Sequence, residues 1–457
     1  MAADGDQSRR EVKRRVCLIL AALVFLFPLG ALDDAGEKAA LAARGKYLTL
    51  KIAVVGPGDE VYLWWGHIGL VVEDALSGRS DFYDWGVFSF DNDNFYANFA
   101  FGRLLYSCAV SPAAANLAYG IASNRDIVLY TLNLPPEVRA EILQFAENNA
   151  LPQNKDYWYH HFKDNCATRL RDIIDQATGG AFKARYGEAP GRFTLRGHVR
   201  RHTWFSPPWD WLFSFLMGRG IDRPITVWEE MFLPSEVERR ISDFTYAGPD
   251  GVERPLVSSV EVMNTARGRH PVLDSPPRQW PQTLAAGLLL AALLGLFKAM
   301  SRKKDLFGGG IARAGRILFG LSQSLLGLFF GAAGFLLFFM SFFTNHDYTW
   351  HNSTIIFVNP LLFAAFPLGI VLAFGKPRKR AAGEPERARF SGVFLQVLWT
   401  CVFLGGLFAM ALNLIPGLYQ DNWSVVTLLL PPAFALSRAP GWAAGWFSRP
   451  PPSRPKT

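Results

Sequence analysis

Residues 157–172 read YWYHHFKDNCATRLRD, and this stretch decides the fold of the polar part of the chain. Asp164 or Asn165 can cap a helix that runs on from Cys166 until a pair of glycines stops it. Apolar residues recur after the cysteine at helical spacing, so the thiol begins the face that packs inward. The first turn of a helix favours thiolate over thiol. The question is therefore whether Cys166 is a nucleophile or half of a disulfide.

A histidine earlier in the chain is a candidate partner for this cysteine. Residues 64–74 read WWGHIGLVVED, which places His67 at the start of an apolar strand, between glycines that allow close approach of a backbone or a substrate. A single histidine on a strand is more often structural. With a helix-starting cysteine about a hundred residues later, His67 fits Cys-His catalysis, in which the two residues are distant in sequence and adjacent in space.

The residues around these motifs predict a mixed α and β domain. Residues 46–90 alternate apolar and polar side chains between Gly-rich turns, which predicts β-strands. Residues 125–135 predict another strand, and residues 135–151 predict a helix with one apolar face.

The composition of the whole chain indicates a membrane protein. Of the 457 residues, 50% are hydrophobic, which exceeds the usual share in a soluble protein of this size. Apolar runs without charges lie at residues 16–32, 284–300, 317–343, 355–374, 393–414 and 425–436. Four or five of them approach the roughly 20 residues that a spanning helix needs.

The positions of Lys and Arg indicate which loops are cytoplasmic. Basic segments lie at residues 9–15, 301–316, 375–389 and 448–456. The loops at residues 344–354 and 415–424 hold no Lys or Arg. Six spans would then place both termini in the cytoplasm. The formal net charge of +8 therefore requires no nucleic-acid partner.

This pattern predicts a domain order. The predicted parts are a transmembrane anchor at residues 1–32, an exported domain at 33–280, transmembrane helices at 281–447 and a cytoplasmic tail at 448–457. The first run can instead be a cleaved signal peptide, since a basic segment precedes it and Gly30 and Ala31 are small. Either outcome exports the domain that follows.

The two motifs, with FYDWG at residues 82–86 between them, resemble the exported domain of the Lnb-type lipoprotein N-acyltransferases. The wider resemblance is to the circularly permuted papain-like enzymes, which include NlpC-type peptidases and in which the histidine strand precedes the cysteine helix. The match covers most of residues 45–270. It implies an α+β permuted papain-like (NlpC-like) exported domain plus an α-helical transmembrane bundle.

The resemblance also implies a function. A membrane-bound cysteine acyltransferase would move a fatty acyl chain from a phospholipid to the N-terminal amine of a lipoprotein cysteine, through a thioester on Cys166. His67 would be the general base, and Asp84 is favoured over Tyr83 as the orienting group, because a carboxylate fixes the imidazole tautomer and supports its cation. The enzyme would need no cofactor, and it would sit in the bacterial inner membrane with its catalytic domain facing the periplasm.

Further residues are candidates for substrate contacts. The Cys166 amide, with Asn165 or Tyr106, can stabilise an oxyanion. Arg169 or Arg171 can hold a phosphate headgroup, although a solvated helix face is an equally good interpretation of both.

Two segments are predicted to lie near the membrane surface. Residues 344–354 contain His346 and His351, which can help to seat the lipid or the amine. Tyr348 and Trp350 can instead make this loop an aromatic belt. Residues 204–240 are rich in tryptophan and phenylalanine, which predicts an interfacial segment or an ordinary aromatic core.

Alternative interpretations remain for the cysteines and for the function. A disulfide between Cys108 and Cys166 is chemically permitted in an exported domain. His160 and His161 match no common zinc spacing, so no metal is expected. The rival functions are a papain-like thiol hydrolase of peptidoglycan or peptide amides and a non-catalytic envelope receptor or scaffold.

Overall fold

The computed structural model describes residues 30–90, 94–248, 251–302, 304–375 and 386–437. Most of the predicted first span and the predicted cytoplasmic tail lie outside the described residues. The chain forms two compact units. Among the described residues, the sheet unit comprises residues 30–88, 105–189 and 231–268, and the helical unit comprises residues 89–104, 190–230 and 269–437. The predicted exported domain, residues 33–280, thus contributes to both units.

All β-strands of the described residues belong to the sheet unit. They are β1 Leu48–Val55, β2 His67–Asp74, β3 Arg79–Val87, β4 Leu105–Pro112, β5 Ile127–Leu132, β6 Asp156–Trp158, β7 Thr245–Ala247, β8 Glu253–Pro255 and β9 Val257–Asn264. Seven of them form one sheet in the order β6-β4-β3-β2-β1-β5-β9, with antiparallel neighbours. β7 and β8 form a separate pair.

The α-helices are divided between the two units. In chain order they are α1 Gly30–Gly45, α2 Phe95–Ala100, α3 Ala113–Ala122, α4 Pro136–Ala150, α5 Cys166–Ala177, α6 Ala181–Tyr186, α7 Leu195–Thr203, α8 Pro207–Leu216, α9 Val227–Glu230, α10 Pro234–Ile241, α11 Trp280–Arg302, α12 Lys304–Phe343, α13 Ala365–Phe374, α14 Glu386–Leu412 and α15 Trp423–Leu436. The sheet unit holds α1, α3 to α6 and α10, and the helical unit holds the others.

The central strands of the sheet are buried on both faces. Ile52 on β1 pairs with Leu70 on β2, and both are fully buried on one face. On the other face Val71 and Phe82 pack with Ala113 of α3. This two-sided burial explains why β1 and β2 are more continuously apolar than a half-exposed strand. α5 packs against β2 and β3, the strands that carry His67 and Asp84.

Four helical segments of the helical unit are long and apolar enough to cross a membrane. They are residues Trp280–Arg302, Gly308–Phe343, Ser353–Phe374 and Ser391–Leu412. α15 is shorter and contains Pro431 and Pro432. An α+β domain followed by long apolar helices confirms the predicted fold class.

Glycines allow the membrane helices to pack closely. A Cβ on Gly327 of α12 would lie 2.5 Å from the Cβ of Ala365, and one on Gly334 would lie 2.5 Å from the backbone of Asn359. Real side chains do not approach so closely, so both positions require glycine. Small residues of this kind are typical of contacts between membrane helices.

A polar segment that precedes the membrane helices in the chain is also part of the helical unit. Every residue of α7 is buried, including Arg196. The guanidinium of Arg196 forms a two-pronged ion pair with Asp222, at 2.7 and 2.9 Å. Arg200 on the same helix pairs with Asp421, which lies 221 residues away in the sequence. The Arg196–Asp222 pair stabilises residues 190–230 internally, and the Arg200–Asp421 pair joins this segment to the rest of the helical unit. Removing Asp421 would leave the buried guanidinium of Arg200 without its carboxylate.

Candidate active site

Cys166 is the first residue of α5, and Asn165 is the N-cap of that helix. The side-chain oxygen of Asn165 accepts hydrogen bonds from the amides of Ala167 and Thr168, both at 2.9 Å. The hydroxyl of Thr168 accepts a hydrogen bond from the backbone N–H of Asn165 at 2.8 Å. This capping box fixes the backbone on both sides of the cysteine. Cys166 itself is a free thiol, and 7% of it is exposed.

The side-chain NH2 group of Asn165 joins the helix start to two other segments. It donates to the backbone oxygen of His161 at 2.7 Å and to that of Phe232 at 3.0 Å. The oxygen and the nitrogen of this side chain are therefore both engaged. An oxyanion role for Asn165 would require one of these bonds to break, whereas a role in positioning Cys166 requires no change.

His67 and Asp84 come together from neighbouring strands. His67 is the first residue of β2, and its Nε2 lies 2.9 Å from Oδ1 of Asp84 on β3. The same carboxylate oxygen accepts a hydrogen bond from the amide of Gly86 at 2.8 Å. The pairing of β3 with β4 is irregular between Asp84 and Val87, and such irregularities re-aim side chains next to active sites.

The thiol of Cys166 lies close enough to the imidazole of His67 to raise the pKa of the histidine. Because Asp84 occupies Nε2, Nδ1 is the ring nitrogen left for the thiol. The three side chains therefore follow one another as thiol, imidazole and carboxylate, which is the arrangement of a nucleophile, a base and an orienting group.

The surroundings of His67 favour its protonated form. Burial has the largest single effect and lowers the pKa of His67. The combined effects of Asp84 and Cys166 raise this pKa by more than burial lowers it. The resulting pKa of His67 lies well above the usual 6.5. A positively charged imidazole beside a thiol is a feature of sites that use a cysteine as nucleophile.

Gly86 leaves room for the imidazole. A Cβ at this position would lie 2.7 Å from Cε1 of His67 and 3.2 Å from Oδ1 of Asp84. Sequence reasoning did not single out this glycine, although it lies within the quoted FYDWG motif. Gly86 matters because it faces His67 on the neighbouring strand β2, and the sequence of β3 alone does not show this contact.

Three tyrosines surround the cysteine. Tyr106 on β4 pairs with Tyr157 on β6, and the ring of Tyr106 stacks on that of Tyr159 with 4.0 Å between centroids. Burial first, and then the charge of Cys166, raises the pKa of Tyr106 and of Tyr159, so both phenols stay protonated. Tyr157 donates its hydroxyl to the backbone oxygen of Trp85.

Only one of these three tyrosines was a sequence candidate. Tyr106 was selected as a possible oxyanion donor, and its phenol is influenced by the charge of Cys166. Tyr157 and Tyr159 were missed, although they stand two residues apart just before the cysteine. Side chains two apart on a strand share a face, and this spacing was the available signal.

Tyr83 and Cys108 have no part in the thiol–imidazole–carboxylate arrangement, since neither is among the groups that shift the pKa of His67. Tyr83 precedes Asp84 on β3, so its side chain points to the opposite face of the sheet. Burial raises the pKa of Tyr83 to about 12. Cys108 is free and buried, and burial raises the pKa of its thiol to about 12 as well. Neither group has the histidine contact that Cys166 has, and the two cysteines are not joined in a disulfide.

The two candidate arginines already have partners. Arg169 binds both carboxylate oxygens of Asp164, at 2.6 and 2.9 Å, and its guanidinium lies 4.0 Å from the ring centroid of Tyr157. Arg171 is buried and pairs with Asp172 at 2.8 Å. A headgroup would have to compete with these carboxylates for either guanidinium.

The two loop histidines belong to the helical unit. His346 is buried, its Nε2 donates to the backbone oxygen of Phe99 at 2.9 Å, and its Nδ1 accepts from the hydroxyl of Tyr348 at 2.7 Å. Both ring nitrogens are thus engaged, which holds residues 95–100 against this loop. His351 is exposed and has a backbone φ of +55°.

Comparison with known proteins agrees with this architecture. The family model for the Lnb N-terminal periplasmic domain matches residues 38–200, and the model for the Lnb transmembrane domain matches residues 311–380. Together the two ranges cover just over half of the chain, and the first includes Cys166, His67 and Asp84. No curated protein and no solved structure matches the chain. The chain belongs to the Lnb-type family of membrane proteins, with a periplasmic domain and a transmembrane domain.

Proposed function

We propose that this protein is a lipoprotein N-acyltransferase of the bacterial inner membrane whose catalytic domain faces the periplasm. It moves a fatty acyl chain from a membrane phospholipid to the N-terminal amine of a lipoprotein cysteine. The observation that carries this proposal is the contact of one imidazole with the thiol of Cys166 and with the carboxylate of Asp84. Membership of a family with a periplasmic and a transmembrane domain supports a substrate drawn from the membrane.

The first half-reaction forms a thioester. The thiolate of Cys166 attacks the ester carbonyl of the phospholipid, a C–S bond forms, and the C–O bond breaks. His67 gives its proton to the departing glycerol oxygen, which leaves as a lysophospholipid. The amide of Cys166, at the helix N-terminus, and the hydroxyl of Tyr106 stabilise the oxyanion, while Asn165 holds the helix start in place.

The second half-reaction forms an amide. The amine of the lipoprotein attacks the thioester carbonyl, the C–S bond breaks, and the thiolate of Cys166 returns. His67 accepts the proton that the amine loses, and Asp84 supports the resulting imidazolium. A thioester is a good acyl donor to an amine, so one difficult transfer is split into two easier steps.

The same three side chains also suit a thiol hydrolase of peptidoglycan or peptide amides. A hydrolase admits water to the acyl-enzyme, whereas a transferase must keep water away until the amine arrives. The four membrane-length helices favour the transferase, because a wall hydrolase needs no more than a tether. A non-catalytic receptor would need no thiol in contact with a histidine.

The test is the intact mass of the full-length protein after incubation with phospholipid and no acceptor. We expect a fatty-acyl adduct on the wild type and on Cys108→Ala, removed by neutral hydroxylamine, and no adduct on Cys166→Ala. Cys108 is the matched control because it is the other free cysteine among the described residues of the sheet unit. A folded protein that binds lipid and forms no adduct would overturn the acyl-transfer proposal. Cleavage of peptide amides by that protein would then identify a hydrolase, and its absence a receptor.

A further inference from the structure

The helical unit contains an apolar cavity of about 470 Å³ between α8 and α12. One wall is formed by Trp211, Leu212 and Phe215 of α8. The facing wall is formed by Leu325, Phe329 and Leu336 of α12. The volume is within the range of about 300–1,000 Å³ that is typical of ligand sites.

The composition of the α12 wall indicates the chemistry of the occupant. Leu325 is 66% exposed, Phe329 58% and Leu336 40%, and all three lie on a helix that is long and apolar enough to cross a membrane. Large apolar side chains exposed on such a helix face hydrocarbon, since water would make their exposure costly. The cavity therefore opens to the interior of the bilayer.

The length of the cavity matches one leaflet. From Leu325 to Leu336 the helix rises by about 16 Å at 1.5 Å per residue. Half of the roughly 30 Å hydrocarbon core of a bilayer is about 15 Å. The periplasmic domain precedes α11, so α11 runs inward and α12 returns to the periplasmic side at Phe343. Leu336 lies seven residues, about 10 Å, before that end, and Leu325 lies about 27 Å before it. The cavity therefore begins in the outer leaflet and continues past the midplane of the bilayer.

The α8 wall is held in a fixed position. The rings of Trp211 and Phe215 stack with 5.2 Å between centroids and 6° between planes. The backbone oxygen of Phe215 accepts from the side chain of Asn352 at 2.9 Å, and that of Ser214 accepts from Arg196 at 2.7 Å. A fixed wall that faces a membrane helix forms a recess before any ligand arrives, which distinguishes it from the open surface of the other helices.

We propose that this recess binds one long acyl chain of a membrane lipid, held between α8 and α12. The proposal deepens the proposed function and rests on it for its purpose, because both the phospholipid donor and the lipoprotein acceptor carry such chains. Binding itself needs no catalysis, so it can be measured in a protein that lacks the nucleophile.

The test uses the full-length Cys166→Ala protein in lipid nanodiscs that contain phosphatidylethanolamine with a diazirine in one acyl chain. After illumination and digestion, we expect saturable labelling at residues 211–215 and 325–336, lost on competition with unlabelled lipid. Ala332→Trp, which fills the recess from the α12 side, should reduce this labelling about tenfold, equivalent to about 1.4 kcal/mol. Leu212→Trp fills it from the other wall and guards against a folding defect in the first variant.

The matched control is Leu404→Trp, because Leu404 is an exposed apolar residue of α14, another membrane helix, and does not line the recess. It should leave the labelling unchanged. Equal labelling at Leu404 and at the recess, or labelling that neither filling variant reduces, would show ordinary bilayer contact and overturn the proposal. A recess covered by residues 16–29 or by a second copy would give no label there and would also overturn it.

Two further comparisons identify which molecule supplies the bound chain and separate the lipid site from the proposed acyl-transfer mechanism. Competition by phospholipid alone identifies the donor chain, and competition by a diacylated lipopeptide identifies the acceptor chain. Labelling of the recess without a thioester on the wild type would support the lipid site and reject the acyl-transfer mechanism. A thioester without labelling would do the reverse.

Discussion

Oδ1 of Asp84 lies 2.9 Å from Nε2 of His67 and at the same time accepts the amide hydrogen of Gly86. One oxygen therefore fixes the carboxylate on its own strand and the imidazole on the next. The hydrogen bond from the backbone N–H of Gly86 matters because it holds the Asp84 carboxylate in place when the imidazole of His67 changes its protonation state. The tautomer and the orientation of His67 follow from this single relationship.

Replacement of Asp84 with asparagine should lower kcat/KM for acyl transfer by roughly 10³-fold, because an amide cannot support the imidazolium and can select the wrong tautomer. Asp81→Asn is the matched control on the same strand. Asp81 pairs with the exposed Arg79, and surface pairs contribute little. Steady-state kinetics of both variants would check this. Equal loss in the two variants would indicate a general defect of β3 and remove the orienting role of Asp84.

The raised pKa of His67 predicts a pH dependence of stability. The unfolded histidine titrates near 6.5, and in the folded protein its pKa is well above that value. The stabilisation from its proton is therefore fully present below about pH 6.5 and is lost as pH rises through the folded pKa. The measurement is the thermal midpoint of the wild type minus that of His67→Gln at several pH values. We expect this difference to shrink as pH rises, and a difference that grows would contradict the assigned direction.

Gly86→Ala should reduce acyl transfer by about a hundredfold, because a Cβ placed 2.7 Å from Cε1 of His67 displaces the imidazole, and an error of about 1 Å in position can cost that much. Gly36→Ala is the control, since no atom lies within 4 Å of a Cβ in that position and alanine favours the helix. Kinetic assays on folded variants decide the matter. Full activity of Gly86→Ala would show that the imidazole does not need this space.

Cys166 and Cys108, the free cysteines in the described part of the sheet unit, should differ sharply in reactivity. Cys166 contacts an imidazole, whereas burial raises the pKa of Cys108 to about 12, so its thiolate is very rare at pH 7. Brief alkylation at pH 7 followed by peptide mapping should find the label on Cys166 and not on Cys108. His67→Gln should abolish the rapid labelling. Rapid labelling that survives this change would indicate a thiol activated by the helix alone.

The sequence patterns were sufficient for the elements that carry the site. A capping residue before Cys166 and a glycine-flanked His67 at a strand start are local features, and the structure shows a helix and a strand at these positions. The long apolar runs were equally readable, because a spanning helix must satisfy its own backbone and remain apolar.

The partners of individual side chains could not be read in the same way. Arg169 is a headgroup candidate from the sequence alone. Its pairing with Asp164 and its contact with Tyr157 depend on how the turn before α5 closes, which the sequence does not show. The place of residues 190–230 in the helical unit depends on contacts such as that of Arg200 with Asp421, 221 residues apart. Local periodicity carries no information about contacts over such separations.

Asn165→Asp should destabilise the sheet unit and lower activity more than an ordinary change of cap. An aspartate can still accept from the amides of Ala167 and Thr168, but it donates nothing to the backbone oxygens of His161 and Phe232. Its charge would then face two buried carbonyl oxygens, and an unsatisfied buried acceptor typically costs about 1–3 kcal/mol.

The control for this change is Thr194→Asp, which exchanges the N-cap of α7, where the side chain only accepts from Gly197. Aspartate is as good a cap as threonine, so little change is expected there. Denaturation midpoints and thioester formation should be measured on both variants. Normal stability of Asn165→Asp would show that capping alone positions Cys166, whereas a loss confined to this variant would show that the two donated bonds hold the start of α5.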